Sequence, residues 1–299
     1  MKVIECKDEA QWLNERSWDG PHNLVVTASE GREMIDNPVR FYAKKKGLLP
    51  PVEQNQRMLW GKRLQQAIGF GFGEDTGRTV EEAPPYTIFL HPDAPFIGAT
   101  LDFFQKDGER GDGILETKNV AAEWVEIPIG YQIQVQIQMA CVPARRFATV
   151  AGLRGGNTLQ WADVEPHAAF MKRFVSLAEE MQWRLIHDQP PQVGSDGSEE
   201  TREALAALYP KDVGTSVALP PEALQWTDEL EALKNQKRAI EEGITLRESW
   251  IKEQLKDATY GVLVDGRRYS WKEQTRVTPP RLEAQVSKFR VLKLLKGER

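Results

Sequence analysis

Short apolar runs broken by glycine and proline follow one another along the first half of the chain, and they constrain the fold more strongly than any other feature. Each run has the length and the turn-forming borders of a β-strand. The runs occupy residues 85–90, 97–104, 113–120 and 147–153. Helical patterns lie around them, over 58–70 and over 161–187, the second with Asp163 as its predicted N-cap. This order predicts an α/β or α+β core.

A polar stretch rich in proline and glycine, at 189–200, is the best candidate for a domain boundary. We therefore predict a first domain over 1–190 and a C-terminal extension over 191–299. The extension is predicted to be mainly helical, because Pro220 and Pro221 stand where a helix can begin and an apolar periodic segment follows.

Within this extension, apolar residues repeat at heptad-like spacing between Trp226 and Ile251. The spacing favours a long helix or helical hairpin packed on the core over an intermolecular coiled coil. Further on, the segment around Asp265 and Gly266 predicts a β-hairpin. The chain is predicted to close with a basic helix over 287–299.

The composition excludes several classes of protein. With 39 basic and 44 acidic residues the formal charge is −5, which excludes a uniformly basic DNA-coating protein but not a local basic groove. Two cysteines cannot form a disulfide framework, and four scattered histidines lack the spacing of a zinc site. No signal peptide is predicted, and the longest uncharged stretch, 127–144, carries too many glutamines and prolines to span a membrane. We expect a soluble intracellular protein.

Two acidic residues on neighbouring predicted strands form the best candidate site. Asp102 ends one strand, and Glu116 and Lys118 share a face of the next, since alternate residues of a strand project the same way. If the two strands form a hairpin, Asp102 lies beside Glu116. Two carboxylates and the Thr117 carbonyl oxygen are hard ligands that suit Mg²⁺, and a nearby lysine can orient water or stabilise charge on a phosphate. Alone, such a triple is more often a surface ion pair.

The segment 131–139 has two interpretations. Ile133 and its apolar neighbours alternate strictly with glutamines, which is typical of a strand. On a helix, however, Tyr131, Gln134 and Gln138 would share one face. We favour the helix, because a period-2 pattern over a short window is fallible. Gln134 then faces the candidate site and Gln138 lies one turn further along.

The order of these elements and motifs resembles the PD-(D/E)XK nuclease core. More narrowly, it resembles the YqaJ-type viral recombinase and lambda exonuclease-like family. The resemblance covers most of the chain. The matching features are Trp12 with Arg16, the segment 27–30 with Ser29, Trp60-Gly61-Lys62, the run 98–102 into the first catalytic acid, Glu116-Thr117-Lys118, and Tyr131 with Gln134.

The resemblance implies an α/β fold with a mixed central β-sheet flanked by helices, the restriction-endonuclease-like core, over 1–190. It also implies a helix over 131–139, which is a further reason to favour the helical interpretation of that segment. It implies a Mg²⁺-dependent deoxyribonuclease, with Mn²⁺ as a possible substitute, that acts 5′-to-3′ on double-stranded DNA ends in phage-type recombination. The enzyme would act in the bacterial cytoplasm as a homo-oligomer and hand its product strand to a single-strand annealing protein.

Roles for individual residues also follow from the resemblance. Asp102, Glu116 and the Thr117 carbonyl would hold the metal ion, and Lys118 would assist the attacking water. Ser29, Arg16 and Tyr131 would contact DNA or its terminal phosphate, and Gln134 would shape the site. Gln65 stands where the family usually has a glutamate, so it would support the metal site without adding charge.

Two alternatives remain open. One is an endonuclease of the same fold. The other is a DNA-end-binding protein of weakened activity, which the glutamine at position 65 motivates. The three lysines at 44–46 likewise have two interpretations, a solvated charged face or the lining of a duplex entrance.

Overall fold

The computed structural model describes residues 2–20, 22–51, 53–194 and 197–273. Contacts divide the chain into two compact units, Met1–Pro210 and Lys211–Arg299. The first unit contains nine strands and seven α-helices among its described residues. Its strands are β1 Lys2–Glu5, β2 Val26–Thr27, β3 Thr79–Glu82, β4 Thr87–Leu90, β5 Ile97–Ala99, β6 Phe103–Asp107, β7 Gly111–Val120, β8 Ala148–Arg154 and β9 Thr158–Val164. Its helices are α1 Glu9–Glu15, α2 Gly31–Asp36, α3 Pro38–Lys45, α4 Gln56–Thr76, α5 Ile129–Cys141, α6 Ala168–Ile186 and α7 Glu199–Leu208.

A mixed five-stranded sheet in the order β3-β6-β7-β8-β9 carries the candidate site. Strands β6 and β7 form the predicted antiparallel hairpin, in register from Phe103 opposite Leu115 to Asp107 opposite Gly111. Gly111 has φ +82°, a conformation that glycine adopts without strain and that closes the turn. Strand β7 then pairs in parallel with β8. The predicted α/β fold with a mixed sheet flanked by helices is confirmed.

A second sheet, in the order β1-β4-β5-β2, lies beside the first in the same unit. Its parallel pair β2–β5 places Thr27 opposite Gly98. A Cβ on Gly98 would lie 2.9 Å from the Ile88 side chain, so this crowded position requires a glycine. The pairing brings the turn after β2 close to the run that leads into Asp102.

Helix α5 confirms the helical interpretation of 131–139. Its buried residues include both the apolar Ile133 and Ile137 and the polar Gln136 and Gln138. A helix buried on most of its surface needs no amphipathic pattern, so the alternation of isoleucine, valine and glutamine carried no information about a strand.

The predicted helix over 161–187 is wrong at its start. Residues 158–164 form strand β9, and α6 begins only at Ala168, with His167 as its N-cap. Asp163 is therefore not a cap. Its carboxylate instead receives hydrogen bonds from Arg78, Arg110 and Thr149. Antiparallel pairing with β8, in register from Ala148 opposite Val164 to Arg154 opposite Thr158, overrides the local helix propensity of this segment.

The first unit extends beyond the predicted boundary at 190. Helix α7 packs on α3 through the buried side chains of Ala204, Val39 and Ala43. Asn37 also donates a hydrogen bond to Thr201 across this contact. The functional extent of the domain, predicted as 1–190, stays a prediction.

The second unit contains a helix, α8 Glu222–Leu255, and a hairpin of strands β10 Tyr260–Val262 and β11 Arg268–Ser270. The hairpin around Asp265–Gly266 agrees with the prediction. The heptad-like stripe lies on the one continuous helix α8, where Trp226, Leu230, Leu233, Ile240 and Ile244 are 42–63% exposed. Its packing on a core stays a prediction. The predicted basic helix over 287–299 lies outside the described residues. None of the described helices has the length and apolar character needed to cross a bilayer.

Candidate active site

Asp102 is held at the end of the β6–β7 hairpin. Its Oδ2 accepts hydrogen bonds from the Thr117 backbone N–H, at 2.8 Å, and from the Thr117 hydroxyl, at 2.7 Å. Pairing of β7 with β6 ends at Leu115, so the Thr117 N–H has no partner on β6 and the Asp102 carboxylate takes that place. The sequence had assigned only the carbonyl of Thr117 to the site, and its side chain is a further contact.

Glu116 lies next to Asp102 and receives three side-chain hydrogen bonds. Lys118 Nζ and Gln134 Nε2 donate to Oε1 at 2.5 and 2.7 Å, and Gln138 Nε2 donates to Oε2 at 2.7 Å. The carboxylate is almost completely buried. Such charge-assisted bonds fix the position of a buried carboxylate.

Gln138 connects the two strands that carry the carboxylates. Besides Glu116 on β7, its amide donates to the Thr100 carbonyl, which precedes Asp102, at 3.0 Å. The side chain is 1% exposed, and its Oε1 is buried without a hydrogen-bond partner among the described residues. We had placed Gln138 on the correct face of α5 but had given it no role.

The surroundings of Asp102 oppose its ionisation. Burial, followed by the negative charge of Glu116, raises the pKa of Asp102 to about 7, although the Thr117 hydrogen bonds and Lys118 act in the opposite direction. Burial opposes the positive charge of Lys118, yet its contacts with Glu116 outweigh this effect and raise the pKa of Lys118. The site therefore carries concentrated negative charge in a poorly solvated place, which is what a divalent cation would neutralise.

Lys118 lies between the carboxylates and helix α5. Its Nζ also donates to Gln134 Oε1 at 3.1 Å and lies 5.0 Å from the ring centroid of Tyr131. The structure thus brings together Asp102, Glu116, Lys118, Gln134 and Tyr131. Their catalytic and binding roles stay predictions.

A cavity joins the carboxylates to the N-terminal element. Its lining includes Asp102, Glu116 and Gln65 at one end and Arg16, Ser29 and Trp12 at the other. A second cavity opens from the same carboxylates towards Arg57, Asn119 and Tyr131. Gln65 lines both cavities, but no hydrogen bond joins it to Asp102 or Glu116 in the part of the chain that the structure describes.

Arg16 and Ser29 are in contact despite their separation in sequence. Arg16 Nη2 donates to Ser29 Oγ at 3.0 Å and to Thr27 Oγ1 at 3.1 Å. The guanidinium group also stacks over Trp12, 4.2 Å from the ring centroid. The pair therefore forms a cationic, hydroxyl-bearing end of the cavity.

The three lysines at 44–46 all form ion pairs. Lys44 pairs with Glu30 and Glu33, Lys45 is buried against Glu30, and Lys46 pairs with Asp188. Only Lys45 is an interior charge, because Lys44 is partly exposed and the Asp188 partner of Lys46 is 74% exposed.

The donor set fits a hard divalent cation that keeps part of its water shell. No group of three or more His, Cys, Asp or Glu residues surrounds a possible metal position in the described ranges. The candidate ligands are thus two carboxylates and a backbone carbonyl, Asp102, Glu116 and Thr117. Oxygen donors in this number suit Mg²⁺, which usually retains several waters. The buried charge at Asp102 and Glu116 supports this fit.

Comparisons with known proteins identify the family. The model of the YqaJ-like viral recombinase domain matches residues 3–150. No curated protein matches the sequence. The alkaline exonuclease LHK-Exo from Laribacter hongkongensis is 18% identical, with 60% of this chain and 94% of that chain covered and a TM-score of 0.45. Its complex with dAMP gives 17% identity over the same shares, at a TM-score of 0.47.

A phage-related exonuclease from Haemophilus somnus 129PT is 15% identical, with 62% of this chain and 91% of that chain covered and a TM-score of 0.38. Structural scores this low add nothing to the assignment, which rests on the family match. The matched segment contains Arg16, Ser29, Asp102, Glu116 and Lys118. Residues 3–150, just under half of the chain, are therefore identified as a YqaJ-like viral recombinase domain.

Proposed function

We propose that the chain is a Mg²⁺-dependent exonuclease that degrades double-stranded DNA from its ends in the 5′-to-3′ direction. The observation that carries the proposal is that Asp102 and Glu116 line a cavity that continues to Arg16 and Ser29, while Lys118 donates a hydrogen bond to Glu116. Membership of a viral recombinase family supports DNA as the substrate.

Asp102, Glu116 and the Thr117 carbonyl would hold the metal ion, with Mn²⁺ able to replace Mg²⁺. When bound, such an ion supplies Lewis acidity for phosphodiester hydrolysis. Thr117 orients Asp102, and Gln134 with Gln138 orients Glu116, so the ligands are held in place before the cation arrives. This preorganisation supports a catalytic rather than a purely structural role for the two acids.

Lys118 is the residue placed to act on the reacting groups. Its ammonium group is within hydrogen-bond distance of Glu116 and Gln134, and it can donate to the attacking water or to a phosphate oxygen as negative charge develops. Tyr131 lies against it and would contact the DNA backbone through the second cavity. Gln65, which lines both cavities, would hydrogen-bond water near the metal ion.

The preference for DNA ends is inferred from the part of the cavity that Arg16 and Ser29 line. Arg16 and Ser29 offer a guanidinium group and a hydroxyl group, the donors that suit a terminal phosphate. A phosphate held there would set the distance from the DNA end to the carboxylates. The enzyme would then favour ends that carry a 5′ phosphate.

The decisive experiment compares a labelled linear duplex with a covalently closed plasmid, with and without Mg²⁺. We expect the wild type to release nucleotides from the linear duplex only, and Asp102→Asn to release none. Asp112→Asn is the matched control, because Asp112 is a half-exposed carboxylate on the same strand as Glu116 and pairs with Arg145 instead. Activity retained by Asp102→Asn would contradict the proposal.

The alternatives give different results in the same assay. Nicking or linearisation of the closed plasmid would identify an endonuclease. Binding of DNA ends without nucleotide release in Mg²⁺ or Mn²⁺ would identify a DNA-end-binding protein, as the glutamine at position 65 suggests. We further propose a homo-oligomer that passes its product to a single-strand annealing protein, which light scattering and co-purification with that protein would test.

A further inference from the structure

A network of buried charges lies behind Arg16 and Ser29. Lys45, whose side chain is 4% exposed, donates to Glu30 Oε2 at 2.9 Å and to the backbone carbonyl of Arg16 at 3.1 Å. Arg16 ends helix α1 as its C-cap, so its carbonyl has no partner within the helix. Lys45 supplies that partner and thereby fixes the backbone from which the Arg16 side chain extends.

Glu30 completes the network from the other side. Its Oε2 accepts hydrogen bonds from the Thr27 backbone N–H, at 3.1 Å, and from the Thr27 hydroxyl, at 2.8 Å. Because the Thr27 hydroxyl donates to Glu30, its lone pairs face Arg16 Nη2, which donates to them. The charge on Glu30 therefore sets the direction of the hydroxyl that anchors the guanidinium group.

Electrostatics favour the ionised form of Glu30, although burial lowers the pKa of both Lys45 and Arg16. Burial opposes the charge of Glu30, but Lys45, Lys44 and Arg16 outweigh it and lower the pKa of Glu30 to about 2. Glu30 and Glu33 supply two negative charges against the four cations Arg16, Arg40, Lys44 and Lys45, so the network carries a surplus of positive charge. A positive surplus beside an open cavity favours an anion in that cavity.

The guanidinium group is left with donors to spare. Nη2 is engaged by Thr27 and Ser29, and Trp12 stacks on its face. Within the described residues, Nε and Nη1 donate no hydrogen bond to the protein. Ser29 Oγ accepts from Arg16, and the only other polar contact of its hydroxyl among the described residues is a long one, 3.4 Å to Thr27 Oγ1, which a ligand can replace. The network thus holds a planar donor group at one fixed orientation towards the cavity.

We propose that Lys45 and Glu30 are positioning residues that aim Arg16 and Ser29 at the terminal phosphate, and so determine the preference for phosphorylated 5′ ends. The proposal rests on the proposed function, and it gives residues outside the cavity control over end selectivity. Neither side chain lines that cavity.

The test measures end preference as a ratio. Cleavage rates are compared on linear duplexes with 5′-phosphate and 5′-hydroxyl ends, together with binding of both duplexes in EDTA by fluorescence anisotropy. Lys45→Met is expected to reduce the phosphate-to-hydroxyl ratio about tenfold, the effect of one charge-assisted hydrogen bond. Its rate on hydroxyl ends is expected to stay within about twofold of wild type, since the carboxylate site is untouched.

Two further variants make the result unambiguous. The double variant Glu30→Gln/Lys45→Met removes both charges together, so neither is left buried without its partner. It is expected to lose the preference for 5′-phosphate ends as Lys45→Met does. Lys46→Met removes a neighbouring lysine that pairs with Asp188, and it should keep the wild-type ratio.

The outcomes separate this inference from the proposed function. A wild type without preference for phosphorylated ends would contradict the phosphate pocket itself. If the wild type prefers phosphorylated ends and Lys45→Met or the double variant keeps that preference in full, the positioning role alone is overturned. Equal losses on both kinds of end would also overturn it, because the residues would then serve only the fold.

Discussion

Replacing Asp102 by asparagine should stabilise the metal-free protein while abolishing its activity. The Asp102 carboxylate is surrounded by protein and lies beside Glu116, and these surroundings raise its pKa from 3.8 to about 7. Asparagine keeps an oxygen to accept the two hydrogen bonds from Thr117 and presents an amide, which can donate, towards Glu116. The variant would therefore remove a charge repulsion without removing the contacts that hold the strand ends together.

The magnitude follows from the pKa of Asp102. A folded-state pKa above the unfolded value means that the folded protein binds more protons, so the free energy of unfolding falls as pH rises from about 4 to about 7 and is level above it. A rise of about 3 pH units corresponds to about 4 kcal/mol. The side chain keeps some solvent exposure, and screening reduces the expected gain of Asp102→Asn at pH 8 to about 2–4 kcal/mol.

The assay is urea unfolding in EDTA at several pH values from 4.5 to 8.5, for wild type, Asp102→Asn and the control Asp112→Asn. The advantage of Asp102→Asn should grow with pH, and the control should follow the wild type. Mg²⁺ should then stabilise the wild type more than Asp102→Asn, because a ligand that binds only the folded state adds to its stability. Parallel pH curves, or an Asp102→Asn variant less stable than wild type at pH 8, would refute the reasoning.

Three further predictions concern other parts of the first unit. Lys118→Ala should lower the cleavage rate by about 10²–10³ while DNA affinity in EDTA changes little, and an equal loss of affinity would mean that the lysine only binds phosphate. Gln138→Met and the control Gln136→Met should each lower the free energy of unfolding by about 1–3 kcal/mol. Only Gln138→Met should raise the Mg²⁺ concentration needed for half-maximal rate, because Gln138 contacts Glu116 whereas Gln136 contacts the backbone carbonyl of Glu165. Gly69→Ala should destabilise the fold by about 1–3 kcal/mol, because its Cβ would overlap the ring of the buried Phe103. Gly61→Ala on the same helix meets no neighbouring atom and should instead stabilise the fold by about 0.5–1 kcal/mol, the helix propensity that alanine gains over glycine, as thermal unfolding would show.

The candidate site was largely predictable because its parts are close in sequence. Asp102 and Glu116 belong to adjacent strands joined by a tight turn, so hairpin register alone brings them together. Helix α5 needed the family resemblance, since its buried surface hides the helical period. Its face then placed Gln134 and Gln138 correctly.

The errors concern residues whose partners lie far along the chain. Asp163 was assigned to a helix cap, whereas Arg78, from another strand region, binds it. The lysines at 44–46 were interpreted from their own run of charge, and the structure pairs them with Glu30, Glu33 and Asp188. A run of charged residues in the sequence does not distinguish an exposed side chain from a buried ion pair, because the two differ only in whether folding brings an acidic partner from another part of the chain.

The sequence by itself determined the sheet-and-helix architecture, the hairpin that joins the two acids, and the residue types able to hold a hard cation. These depend on periodicity and turn chemistry, which act over a few neighbouring residues. Only the tertiary structure decided that Thr117 and Gln138 hold the acids, and that Lys45 and Glu30 lie behind Arg16. Such contacts arise where separate elements pack, and the free energy of a buried polar group depends on the partner that packing brings to it.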